Sequence, residues 1–331
     1  MTDSQQTETT QYAGADAHIF KTKDQLCTQK FVVEHTILPK TSEGEIDIEN
    51  LPTIIVSAGP GRSGSTGFAG LMASHPHIQQ SYYQPWKSLI RHGDKYGDLV
   101  IPSKEEGVST VFAKETFGPF HEEEEFDPVD LLIQAGYPPE KIVFLPLIRD
   151  PLATYNSNMK FEGEIQADIL ISNILYTIEL YHKYKDHPSI GGVIPIAYDL
   201  SDGQEEALVH NMMTILGLEP AGTQFDHTSL LPVWDGGCFV PFESIEPEEH
   251  AEITGPTFAK DAFVYKTKCL TLEEFPMISG KNGAHLGQAT QIYEETIGAY
   301  MQFLQQSAAA LEVPIPQNIL SKLPENTLPY S

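Results

Sequence analysis

Cysteine is scarce in this chain of 331 residues: Cys27, Cys238 and Cys269 are widely separated and odd in number. That argues against a disulfide framework, and no pair among them has the spacing of a zinc or redox site. Reduced thiols in a cytoplasm are the expectation. Long apolar runs are missing as well. None approaches the ~20 residues that a membrane-spanning helix needs. The opening stretch Met1–Thr10 carries neither a basic nor an apolar block, so residues 1–24 read as a mobile tail rather than a signal peptide. Basic residues are the third shortage, with 20 Lys and Arg against 46 Asp and Glu and a formal net charge of −26. A field of that sign repels nucleic acid, anionic membranes and polyanionic sugars, and it attracts cationic small molecules. Part of the acid sits in Glu122-Glu123-Glu124-Glu125, which reads as a solvated loop or helix start. No metal site is expected, because no cluster of ligand-type residues stands out.

What the chain does carry begins at Ile54-Ile55-Val56. This apolar, β-branched run breaks into Gly59-Pro60-Gly61-Arg62-Ser63-Gly64-Ser65-Thr66 and opens onto a helix near Gly67 and Phe68. Strand, glycine turn and helix N-terminus together form an anion cradle, because glycines let the backbone aim several N–H groups at one spot and the helix dipole adds positive charge there. Gly59 and Gly64 have the spacing of the nucleotide P-loop, but Ser65 holds the place of its lysine. The loop therefore lacks the usual reach to the β- and γ-phosphates of ATP or GTP. Its one cation is Arg62, followed by the hydroxyls of Ser63, Ser65 and Thr66. A glycine turn alone is often only a tight connection. The strand before it, the helix after it and the Arg–hydroxyl cluster favour the anion site.

A second turn of the same kind follows Ile142–Ile148, a buried strand running into Arg149-Asp150-Pro151. Pro151 suits the first position of a helix, where its missing N–H costs nothing. Helical continuation from Leu152 to Lys160 places Ser157 two turns along, close enough to share a ligand with Arg149.

These segments resemble the sulfotransferases that use 3′-phosphoadenosine 5′-phosphosulfate (PAPS). Pro60–Thr66 is similar to their phosphosulfate loop, in its Arg-bearing form rather than the Lys-bearing form of the animal cytosolic enzymes. Arg149-Asp150-Pro151, with Ser157 eight positions after the arginine, is similar to their 3′-phosphate motif. The resemblance covers residues 53–217 in good order and the C-terminal third only faintly. It implies that Gly61, Arg62, Ser63, Gly64, Ser65 and Thr66 hold the 5′-phosphosulfate, that Arg62 assists departure of the bridging oxygen, and that Arg149 and Ser157 bind the 3′-phosphate. Tyr198-Asp199-Leu200 resembles the strand end whose tyrosine lies against the adenine. Ser279-Gly280-Lys281-Asn282-Gly283 resembles a late basic loop over the 3′-phosphate, which adds Lys281 and Gly283. Tyr82–Lys87 falls where the family places acceptor contacts.

The base is less direct. Where the animal enzymes end a strand in Lys-Thr-His, this chain has Lys114-Glu115-Thr116, so the histidine is absent. Glu115 is the first candidate, since desolvation beside a bound donor raises a carboxyl pKa, and His121 is the second. The plainer reading of Glu115 is a surface carboxylate paired with Lys114.

Strands at 54–56, 111–113, 142–148 and 192–198 alternate with helices over 127–135, 165–185, 202–216 and 288–306. Ile171, Ile174, Leu175, Ile178 and Tyr181 form the apolar stripe of the longest early helix, and Pro195 weakens the last strand. The prediction is an α/β fold: a P-loop-like parallel sheet flanked by helices on both faces, as the sulfotransferase resemblance also implies. One domain spans 25–331, with acceptor-pocket or lid loops around 76–110 and 220–285. The implied activity moves a sulfuryl group from PAPS to a hydroxyl or amine of a small-molecule acceptor, neutral or cationic, a guanidinium alkaloid for example, and releases adenosine 3′,5′-bisphosphate (PAP). No nucleic-acid or membrane partner is expected. A kinase-like P-loop protein and a non-catalytic nucleotide binder are the alternatives.

Overall fold

The computed structural model describes residues 27–73, 75–93, 97–118, 124–161, 166–220 and 283–322. The proposed tail, His121, Lys281, Cys238, Cys269 and the 221–282 stretch lie outside them. Along the chain the elements are α1 (Gln29–Glu34), β1 (Thr36–Ile37), β2 (Thr53–Ala58), α2 (Ser65–Ala73), β3 (Gln80–Tyr83), α3 (Pro85–His92), β4 (Leu99–Val100), β5 (Thr110–Lys114), α4 (Pro128–Gln134), β6 (Ile142–Ile148), α5 (Pro151–Phe161), α6 (Ala167–Tyr184), β7 (Gly192–Val193), β8 (Ile196–Ala197), α7 (Glu205–Ile215), α8 (Gly283–Ala310) and α9 (Gln317–Leu320).

Six strands make one sheet in the order β3-β5-β2-β6-β7, with β8 continuing beside β6. Every pairing is parallel, so all carboxyl ends lie along one edge. β2 comes first of the six in the chain yet sits between β5 and β6. The end of β2 is thus flanked by the ends of both neighbours, at the place where the strand order reverses and open α/β sheets bind ligands.

Side chains alternate across a strand, and here both faces are apolar because both are covered. Ile55, Phe112, Leu145 and Leu147 pack with α2, α5, α6 and α8 on one side. Ile54, Val56, Val111, Ala113 and Phe144 pack with α1, α3 and α4 on the other. The chain is an α/β protein with a parallel sheet flanked by helices, as its alternating pattern predicts.

Local chemistry sets the element boundaries. Asp127 Oδ1 accepts the amides of Val129 and Asp130 at 3.1 and 3.0 Å, and Pro128 is the first residue of α4. On α6, Ile171, Ile174, Ile178 and Tyr181 are buried, but Leu175 is 38% exposed. Neighbouring residues point about 100° apart on a helix, which leaves Leu175 on the flank of that stripe. The expected strand over 192–198 is broken at Ile194-Pro195 into β7 and β8. Pro195 offers no N–H, and Ser307 of α8 bridges the gap: its Oγ accepts the Ala197 amide and donates to the Pro195 carbonyl, each at 2.8 Å.

Two further expectations are corrected. Residues 76–110, read as loops, carry β3, α3 and β4. Glu124, read as solvated, is buried against two cations of α3, with Arg91 at 2.6 Å and Lys87 at 3.8 Å. The helix carries both positive charges inward, and a buried carboxylate neutralises them. Among the described residues no helix is long and apolar enough to cross a membrane, and no group of three or more His, Cys, Asp or Glu is placed to hold a metal ion.

Candidate functional site

The turn after β2 is held by the segment after β5. The Glu115 amide donates to Ser57 O at 2.7 Å, Phe117 N to Gly59 O at 2.8 Å, and Gly61 N to Phe117 O at 3.2 Å. Gly59 passes so close to β6 that a Cβ there would overlap the Leu147 carbonyl oxygen, so only glycine fits. Arg62 and Gly64 then take positive φ values of 65° and 87° and curl the chain into α2. The Gly61 amide is engaged by Phe117, which removes it from the expected set of anion donors. The amides of Ser63, Gly64, Ser65 and Thr66 are different: they donate to no acceptor among the described residues. They belong to the turn and first residues of a helix, whose N–H groups have no intrahelical partner. The Ser63 hydroxyl is buried beside them and also lacks a partner. An anion at this turn could engage these donors together.

The end of β6 supplies the second half. Asp150 caps α5 by accepting the Ala153 amide at 2.7 Å. Two turns along α5, Ser157 Oγ accepts a hydrogen bond from Arg62 Nε at 3.3 Å. Asn158 also reaches the loop, donating to Gly61 O at 3.5 Å and to Thr154 O at 3.1 Å. Tyr198, just past β8, lies over Gly64 so closely that a Cβ on that glycine would overlap its ring. The Arg149 guanidinium sits 5.7 Å from the centroid of the same ring. Arg149 is buried, and its Nε has no hydrogen-bond partner among the described residues. The structure therefore brings Arg62, Ser63, Gly64, Ser65, Thr66, Arg149, Ser157 and Tyr198 to one place.

The end of β5 forms the third side. Lys114 is not on the surface. It is 1% exposed and stands 4.1 Å over the Tyr83 ring, whose hydroxyl lies 3.0 Å from Thr66 Oγ1. Burial, then the neighbouring Lys87 and Arg62 cations, push Lys114 well below the usual lysine range, while Glu115 pulls it back. Glu115 is fully buried as well, which rules out the exposed ion pair with Lys114. Gln84 precedes α3 in a left-handed conformation and gives no side-chain cap. Glu115 serves instead: its Oε1 accepts the amides of Trp86 at 2.8 Å and Lys87 at 3.4 Å, and its Oε2 has no hydrogen-bond partner among the described residues. Burial pushes the Glu115 carboxyl up to about 8, opposed by the Trp86 amide and then by Lys114. Gln84 Nε2 donates to Thr116 Oγ1 at 2.6 Å.

Sequence reasoning did not single out Lys114 or Asn158 as site residues, and it reached Tyr83 only as part of the Tyr82–Lys87 acceptor segment. A signal was present for Lys114: a charged pair directly after an apolar parallel strand lies at the ligand edge of the sheet. Asn158 had none, since its contact depends on the path of α5, and the approach of Tyr83 to Thr66 depends on register. Gly283 opens α8. His121 and Lys281 lie outside the described residues.

No family model matches the chain, and no curated protein matches it. Among solved structures, a sulfotransferase from Alicyclobacillus acidocaldarius matches at 12% identity over 71% of this chain and 98% of that one, with a TM-score of 0.32. The score is low, and the fold is read from this chain's own strand order.

Proposed function

We propose that this protein is a sulfotransferase that carries a sulfuryl group from PAPS to a hydroxyl or amine of a small-molecule acceptor. The observation that carries the reading is the junction of two motifs distant in sequence: Arg62 of the glycine loop bonds Ser157, two turns beyond Arg149, while Tyr198 spans Gly64 and Arg149. An adenine nucleotide with phosphates on both sides of its ribose suits two anion subsites so joined. The unpartnered amides from Ser63 to Thr66 would bind the 5′-phosphate, and Arg149 with Ser157 the 3′-phosphate. In a protein with net charge −26, the gathering of Arg62 and Arg149 here selects an anion locally.

Transfer breaks the bond between sulfur and the bridging oxygen and forms one between sulfur and the acceptor oxygen or nitrogen. The electron pair of the broken bond stays on the phosphate, where Arg62 neutralises it, and the acceptor proton passes to a base. Glu115 is the base in this reading, through its free Oε2. A kinase-like activity is disfavoured by Ser65 in the P-loop lysine position. One observation favours a second reading, a nucleotide-binding protein without transfer: Glu115 Oε1 already caps α3.

Thermal shift with PAP, adenosine 5′-monophosphate (AMP) and Mg·ATP tests the binding half. PAP is expected to raise the melting temperature most. An equal response to PAP and AMP overturns the reading. Release of PAP from PAPS, assayed with and without phenol and guanidinium acceptors, separates a transferase from a silent binder.

A further inference from the structure

Next to the turn that carries Arg149 lies a buried acid that the transfer reaction does not use. Asp199 follows Tyr198 and is fully buried. Its Oδ2 accepts two hydrogen bonds, from the Asp150 amide at 2.6 Å and from the Tyr300 hydroxyl at 2.7 Å. Its Oδ1 has no hydrogen-bond partner from another described residue. The Asp150 amide belongs to the residue directly after Arg149, so Asp199 grips the turn that presents this arginine. Tyr300 is fully buried on α8, and Gln288 of the same helix accepts from Tyr155 of α5 at 2.6 Å. Ser307, further along α8, holds the backbone leading to Tyr198. One helix thus backs the segments that carry Arg149, Ser157 and Tyr198.

A carboxylate in this position is costly unless hydrogen bonds and a nearby cation offset its desolvation. Asp199 has two donors and the field of Arg149, and burial still raises its pKa against that pull. An apolar or amide side chain would pack here without that cost. Retaining a buried acid beside the cation of an anion site makes sense if it has a job: through the Asp150 amide it holds the turn that presents Arg149.

We infer that Asp199, held by Tyr300 of α8, is a positioning residue that orients Arg149 and so determines preference for a ribose 3′-phosphate. This rests on the proposed function and extends it to residues that touch no ligand. Asp199→Asn and Tyr300→Phe are expected to lower the PAP-over-AMP affinity ratio while AMP affinity stays near that of the parent. The expected loss is about tenfold for a hydrogen bond to a charged group. In an Arg149→Ala background, either change is expected to leave the ratio where Arg149→Ala alone puts it.

Isothermal titration of all variants with PAP and AMP reads this out. If the parent separates PAP from AMP and both single variants keep its ratio while only melting earlier, Asp199 is structural and the inference falls alone. If the ratio drops further in the Arg149→Ala background, the effect does not run through Arg149 and the inference also falls. A parent indifferent to the 3′-phosphate overturns the proposed function itself. Should Asp199→Asn fail to fold, Tyr300→Phe, which removes a single hydroxyl, carries the test.

Discussion

Arg62 Nε and Ser157 Oγ meet at 3.3 Å although 95 positions separate them in the chain. Arg62 has a positive φ of 65°, a conformation that costs a non-glycine residue energy, and the surrounding turn holds it there. The result is an arginine whose side chain leaves the donor loop and touches the helix behind Arg149. Replacing Arg62 by alanine is expected to reduce sulfuryl transfer by about 10²–10³-fold, the usual cost of losing one donor to developing charge. PAP affinity should fall far less, and PAPS turnover beside PAP titration shows whether the two effects separate.

Gly64→Ala is expected to weaken nucleotide binding and to cost about 1–3 kcal/mol of stability, because alanine is strained at that φ. The added methyl would also overlap the Tyr198 ring. Gly217 is the control: its φ is 68° with open space around it, so Gly217→Ala should cost stability and leave PAP binding intact. Urea denaturation and PAP titration of both variants check the pair.

Glu115 links pH to both stability and rate. Its carboxyl is pushed from the ordinary 4.5 up to about 8, so between those values the folded protein holds a proton that the unfolded chain has released. That contribution to stability is fully present below about 4.5 and is lost as pH rises toward about 8. Glu115→Gln is expected to flatten the dependence in this window, measured by urea midpoints across pH. If the same carboxylate is the base, transfer by the parent accelerates as pH rises toward 8, and the glutamine variant loses that rise.

Glu124→Ala strips a carboxylate from buried Lys87 and half-buried Arg91 of α3. The expected loss of stability is about 3–5 kcal/mol, read from chemical unfolding. Lys87 also donates to the Gly118 carbonyl beside the end of β5, so the variant should disturb that edge of the site first.

Much of this arrangement was legible in the sequence because it is local. The run Ile54–Val56 before glycines, the apolar stretch before Arg149, and Asp127-Pro128 at a helix start each follow from neighbours in the chain. The spacing from Arg149 to Ser157 placed both on one βα unit, and the structure adds the contact with Arg62. Tertiary packing hid the rest. Glu124 belongs to a run of four acids, and only the inward charges of α3 make it a buried partner. The role of Glu115 as a cap for α3 depends on β5 ending beside a helix that begins at Pro85. Tyr300 cannot be tied to Asp199 by any pattern, since that contact spans 101 positions.

The sheet also bears on how the chain reaches this state. Because Ile54 pairs with Val111 on one side and Ile142 on the other, and all the pairings are parallel, no two of these strands can be joined by a tight hairpin. The central strand must wait for partners made much later in the sequence, and the entropy of closing those long crossovers comes due before any ladder forms. Assembly should accordingly be slow for a chain of this size, with the exposed edges of half-built strands prone to self-association until the later units arrive.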